Sequence, residues 1–167
     1  MSTTTETTIA VQRVTVHSER SFDEVTAGVY AGLGRPDLAD LLGRAYAATD
    51  RDAFDALFAA AAGSSGLMEF LSLDLGSAIT LRFPDRGIRM LRIIAGNAVT
   101  MSGMAATVAD AGSYAPVTIL IAERDGGVTL SYDRVASDIA PYGDATASAR
   151  AEDLDAAVLD LLHTAAG

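Results

Sequence analysis

The run "PVTILIAERDGGVTLSYD", from Pro116 to Asp133, constrains the fold more than any other stretch of this chain. Two β-prone segments flank Arg124, Asp125, Gly126 and Gly127. An Asp-Gly pair between such segments is a strong signal for a tight hairpin turn. A hairpin commits this part of the chain to an antiparallel ladder.

The N-terminal half carries a different period. Ser21 and Glu24 match a capping box, and Phe22, Val25, Val29 and Leu33 follow at helical spacing, which predicts a helix from Ser21 to near Gly34. Pro36 suits the first turn of a second helix, whose stripe is Leu38, Leu41, Leu42 and Ala45. Asp50 is placed to cap a third, with Phe54, Leu57, Phe58 and Ala61 on one side and "GSSG" as its stop. Together they predict an added antiparallel helix pair near residues 36–62.

Before these helices, "TIAVQRVTVHS" reads as a first strand with a phase change near Gln12 and Arg13. After them come the short β-prone runs "LMEFLSLDLG", "AITLRF" and "RMLRIIAG". Met101, Met104, Ala105 and Val108 then recur at helical spacing, with Gly112 as a stop. A final helix presents Leu154, Val158, Leu161 and Leu162 on one face, with Asp153, Asp155 and Asp160 available to water. No internal repeat or linker interrupts this order. The expected fold is therefore α+β: a single compact domain over residues 9–167, mainly antiparallel sheet with helices packed against it, after a disordered polar tail over residues 1–8.

The net charge is −10, from 12 Arg against 22 Asp and Glu, with no lysine. No cationic block is present, so neither nucleic acid nor an anionic membrane is an expected partner. Absence of lysine removes Schiff-base chemistry and the Lys of a phosphate-binding loop. Absence of cysteine removes thiol nucleophiles, disulfides and Cys-type zinc sites. Every apolar run is shorter than the about 20 residues a bilayer span requires. The opening "MSTTTETT" lacks the features of a secretory signal, so the expected location is cytoplasmic. The two histidines, His17 and His163, sit in no metal-ligand spacing, and no metal or cofactor is expected.

Several residues are candidates for a site. Asn97 is the only asparagine. It follows the strand-like "LRIIAG" and precedes a helix, so it can cap that helix. The same turn can also aim backbone N–H groups at a carboxylate, phosphate or oxyanion. Asp74 in "SLDLG" is a proton-transfer candidate if it is buried, because burial raises a carboxyl pKa. If Leu71, Leu73 and Leu75 face the core instead, Asp74 faces water with Ser72. Tyr114, Tyr132 and Tyr142 lie beside loops or strand ends, where a phenol can orient a ligand or close a core.

The stretch from Gly96 to Gly143 resembles the bacterial family called domain of unknown function 302. The elements carrying the resemblance are Gly96 and Asn97, Met101 and Met104, Ala115 and Pro116 leading "VTILIAE", and Ser131 with Tyr132. Upstream, "SFDEV" and "LDLG" are similar to that family's first helix start and Asp-bearing strand. Ala98 departs from the pattern, where the family commonly has Pro, and the 36–62 helix pair looks like an enlargement. The resemblance implies a compact α+β fold and a homodimer, and it implies no reaction or catalytic residue.

These observations lead to a cytosolic protein that binds a small organic molecule between sheet and helices, at Asn97, Tyr114, Ser131 and Tyr132. A competing expectation is a metal-independent isomerase, lyase or hydrolase, with Asp74 or His17 moving a proton. A third is a dimeric protein-interaction module.

Overall fold

The computed structural model describes residues 2–167. Its centre is a five-stranded antiparallel sheet in the order β1-β5-β4-β3-β2. The strands are β1 (Arg13–Ser18), β2 (Met68–Asp74), β3 (Met90–Gly96), β4 (Val117–Arg124) and β5 (Gly127–Asp133). The helices are α1 (Phe22–Gly32), α2 (Leu38–Tyr46), α3 (Arg51–Ala61), α4 (Leu75–Arg82), α5 (Ala98–Ala105), α6 (Val135–Ile139) and α7 (Ala145–Ala166). The expected α+β architecture, the hairpin between β4 and β5, and the added helix pair are all present.

Side chains alternate across each strand, so one face of the sheet is apolar. Val16, Ile93, Ile119, Ile121, Leu130 and Tyr132 are buried on it together with Val25 and Val29 of α1 and Val158 and Leu162 of α7. Each fully buried aliphatic side chain contributes about 1.5–3 kcal/mol relative to an exposed one. Helix α1 begins as predicted, with Ser21 and Glu24 forming both halves of a capping box. It lies so close to α7 that a Cβ at Gly28 would sit 2.9 Å from the Ala165 Cα.

The register sets the rows of side chains on the other, outer face. One row across the sheet runs Leu73, Arg92, Leu120, Ser131, Thr15. The next runs Met90, Ala122, Thr129, His17. Arg92, Thr15, His17 and Leu73 are exposed, whereas Leu120 and Ser131 are half-buried.

Helices α2 and α3 make a second, smaller core in which Leu41, Ala45 and Phe58 bury Met68. Met68 pairs with Gly96, which puts it in outer-face phase, so the helix pair packs at one corner of that face. The segment is knitted tightly: Gly34 bridges Met68, and a Cβ at Gly34 would lie 1.8 Å from the Ala61 carbonyl oxygen.

Four expectations are corrected. The first strand starts only at Arg13, because β5 ends at Asp133 and leaves residues 9–12 no strand to pair with. Pro36 precedes α2 instead of lying in its first turn, and Asp37 caps that helix by accepting from the Asp40 N–H. "AITLRF" is mostly helical, because Asp74 ends β2 and caps α4. Finally, a register shift between Glu69 and Leu71 inverts the phase of β2, as a bulge does. Leu71 and Leu73 therefore point outward, 50% and 39% exposed.

Candidate functional site

Asn97 is engaged at both ends of its amide. Its Oδ1 accepts from the Val99 N–H at 2.9 Å, and its Nδ2 donates to the Gly66 carbonyl at 3.0 Å. It thus caps α5 and ties down the turn that leads into β2, and one first-turn N–H is occupied by its own side chain.

Asp74 and His17 stand on opposite edge strands, with three strands between them. The Asp74 carboxylate accepts from the Ser77 hydroxyl at 2.5 Å and the Ser77 N–H at 2.9 Å. Those bonds favour the ionised form and hold Asp74 below the usual aspartate range. Desolvation, which raises a carboxyl, is outweighed by these bonds at an exposed Asp74. His17 and His163 are exposed as well. Among the described residues, no three His, Asp or Glu side chains gather at a metal-binding distance.

Tyr132 is 1% exposed, and its hydroxyl donates to Asp155 of α7. The same carboxylate accepts the Val135 N–H at 2.9 Å and the Ala136 N–H at 3.1 Å, capping α6 from the core side. Burial first, and then the bond and charge of Asp155, push the Tyr132 phenol upward. Asp155 is therefore not at the water-facing side of α7: it is 2% exposed.

The space between sheet and helices, where a ligand was expected, is filled by the core side chains. Tyr114, Ser131 and Tyr132 instead border a depression of about 550 Å³ that opens on the outer face. Leu120 lies in outer-face phase beside Ser131. Arg13, Arg92 and Arg124 come in from three different strands, and Asp133 and Asp138 complete the charged lining. Arg13 is bidentate to Asp133, at 2.7 Å for each bond. Arg92 leans on the Thr118 hydroxyl at 3.3 Å, and Arg124 donates to the Glu123 carbonyl at 3.1 Å. At the rim the Tyr114 hydroxyl lies 2.9 Å from that of Tyr142, which donates to Asp110 at 2.8 Å. Burial, followed by the charges of Asp133 and Asp155, raises Asp138 above the usual aspartate range.

A larger depression, about 630 Å³, lies by α4 and includes Asp74 and Arg89. Its charged groups are already occupied. Asp74 caps α4, while Arg89 pairs with Asp23 and stacks over Phe22 at 4.4 Å. The outer-face depression keeps free hydrogen-bonding capacity and is the better candidate.

Sequence reasoning missed Arg13, Arg92, Arg124 and Asp138. Their approach depends on strand order, which no local spacing records. Asn97 does not border the depression with the other three candidates.

No protein-family profile matches the chain. No curated protein matches it either. Among solved structures, the fold is similar to that of the uncharacterized conserved protein DUF302 from Bacillus stearothermophilus, with a TM-score of 0.64 over 92% of this chain and 97% of that one, at 10% identity. The chain therefore shares the fold of that protein, the one its sequence resemblance implied.

Proposed function

We propose that this is a cytosolic small-molecule-binding protein, a divergent relative of the domain-of-unknown-function-302 proteins, whose ligand occupies the outer-face depression. The observation that carries this reading is the depression itself. It exceeds the roughly 300 Å³ at which ligand pockets begin, and half-buried hydroxyls and arginines with open donor positions surround an apolar centre. The shared fold and the resemblance over Gly96 to Gly143 support the family placement. Asp74 as a helix cap and His17 on the far edge supply no acid–base pair, which favours binding over catalysis. Native mass spectrometry of protein purified from its own host tests the reading. A retained small molecule that is lost on Leu120→Arg substitution is expected. A bare chain, or retention unaffected by that substitution, would count against it.

A second reading is a homodimer. Leu71 and Leu73 point outward from the edge strand β2, and Leu81 and Phe83, 84% and 56% exposed, lie at the far end of α4, the helix that follows it. An edge strand offers unpaired backbone groups, and antiparallel pairing with its own copy is isologous. Light scattering on the eluting protein should give twice the chain mass for the natural protein and the chain mass for a Leu73→Glu, Leu81→Glu variant. A monomer at every concentration would remove this reading.

A further inference from the structure

We propose that the outer-face depression selects a small organic anion, with Arg92 anchoring its carboxylate or phosphate. This rests on the reading of the depression as the ligand site and adds the ligand's chemical class. The first ground is charge allocation. The chain has 22 acids against 12 arginines, yet three arginines and two aspartates border this depression. Asp133 is already consumed by Arg13, so Arg92 and Arg124 face only Asp138. An acidic chain that concentrates cations in one concavity attracts anions there.

The second ground is donor accounting. A guanidinium carries five N–H donors, and Arg92 spends one, weakly, on Thr118. Among the described residues it has no carboxylate within ion-pair distance. Thr118 accepts from Arg92, so the proton of its own hydroxyl is available to a ligand. Ser131, two strands from Arg92 in the same row, has a half-buried hydroxyl without a hydrogen-bond partner among the described residues. A carboxylate or phosphate above Leu120 would meet a cationic fork from one side and hydroxyl donors from others. Charge-assisted bonds of that type are roughly twice as strong as neutral ones.

The rim adds a second requirement. Tyr142 donates to Asp110, so it receives the Tyr114 proton, and Tyr114 is left presenting only lone pairs. With Asp138 on the same lining, this favours a hydroxyl or amino group on the ligand away from its anionic end. The class is a small hydroxy- or amino-substituted acid or phosphate ester.

The test is an amide NMR titration of the full chain with inorganic phosphate, succinate and uncharged succinamide at constant ionic strength. Saturable shifts at Arg92, Thr118, Leu120 and Ser131 with phosphate or succinate, and none with succinamide, are expected. Arg92→Gln should weaken anion binding at least about tenfold, the scale of losing one charged hydrogen bond. Arg44→Gln, in the exposed Arg44–Asp40 pair of α2, should leave it unchanged. No saturable shift with either anion, or an unaltered Arg92→Gln affinity, would overturn the inference. Should succinamide or an uncharged molecule retained from the host move the same residues, anion selection falls and the binding site stands. If nothing moves them, both fall.

Discussion

Tyr132 and Asp155 lie 23 positions apart and meet in the core, where one carboxylate binds a phenol and two backbone N–H groups. The arrangement joins the sheet, α6 and α7 at one point. Removing a partner from a buried charged network leaves the rest unsatisfied, and such losses cost about 3–5 kcal/mol. Asp155→Ala should lower stability on that scale in urea unfolding. Tyr132→Phe removes only the phenol donor to that carboxylate and should cost less, about 1.5–3 kcal/mol. A Tyr132→Phe loss as large as that of Asp155→Ala would mean that the backbone bonds to Val135 and Ala136 contribute little.

Asn97 makes a divisible prediction. Asn97→Ala loses the cap on Val99 and the bond to Gly66 together, and the cap alone is worth about 1 kcal/mol. Asn97→Asp keeps a capping acceptor and loses the donor to Gly66. Hydrogen exchange should therefore find the start of α5 opened in Asn97→Ala only, and the turn at Gly66 loosened in both. Protection at Gly66 that survives Asn97→Asp would contradict the tie.

Two aspartates should titrate in opposite directions. Carboxyl NMR should place Asp74 below, and Asp138 above, the ordinary value of about 3.9. Each shift makes folding stability depend on pH. Asp74 is depressed in the folded state, so its contribution to stability is present above the unfolded value and fades as pH falls through the folded one. Asp138 is raised, so its ionisation opposes folding as pH rises through the folded value. Asp138→Asn should therefore raise the melting temperature at pH 7, with the difference closing below about pH 4. A lower melting temperature at pH 7 would refute the assignment of burial as the dominant cause.

The caps and the hairpin were readable because each is a local contract among residues a few positions apart. Ser21 with Glu24, Asp50 and Asn97 each announce a helix start, and Asp125-Gly126 announces a turn. The phase of strand β2 is not legible, because a single extra residue at its bulge reverses every later side chain, and no residue in "LMEFLSLDLG" marks that. Helix α4 was hidden by β-branched Ile79 and Thr80, whose preference lost to the Asp74 cap. Asp155 could have been found, since it falls four residues after buried Ala151 and three before buried Val158, on the same stripe. The charged lining of the depression was out of reach. Arg13, Arg92 and Arg124 become neighbours only once the order β1-β5-β4-β3 is known.

Alanine at Gly63 and alanine at Gly43 should shift stability in opposite directions. Gly63 has a backbone neighbour in the way: a Cβ there would lie 2.3 Å from the Gly32 carbonyl oxygen and 2.5 Å from the Gly34 nitrogen. Backbone cannot yield as a flexible side chain does, so Gly63→Ala must pry the end of α3 from the end of α1. A loss of about 2–3 kcal/mol or more is expected, the upper range for overpacking. Gly43 sits inside α2, exposed, with nothing within 4 Å of its added Cβ. There alanine only reduces the freedom of the unfolded chain and improves helix propensity, a gain of about 0.5–1 kcal/mol. Urea midpoints of the two variants should therefore fall on either side of the natural protein's. Coincident midpoints would show that the helix pair folds without the close crossing of residues 32–34 and 61–67.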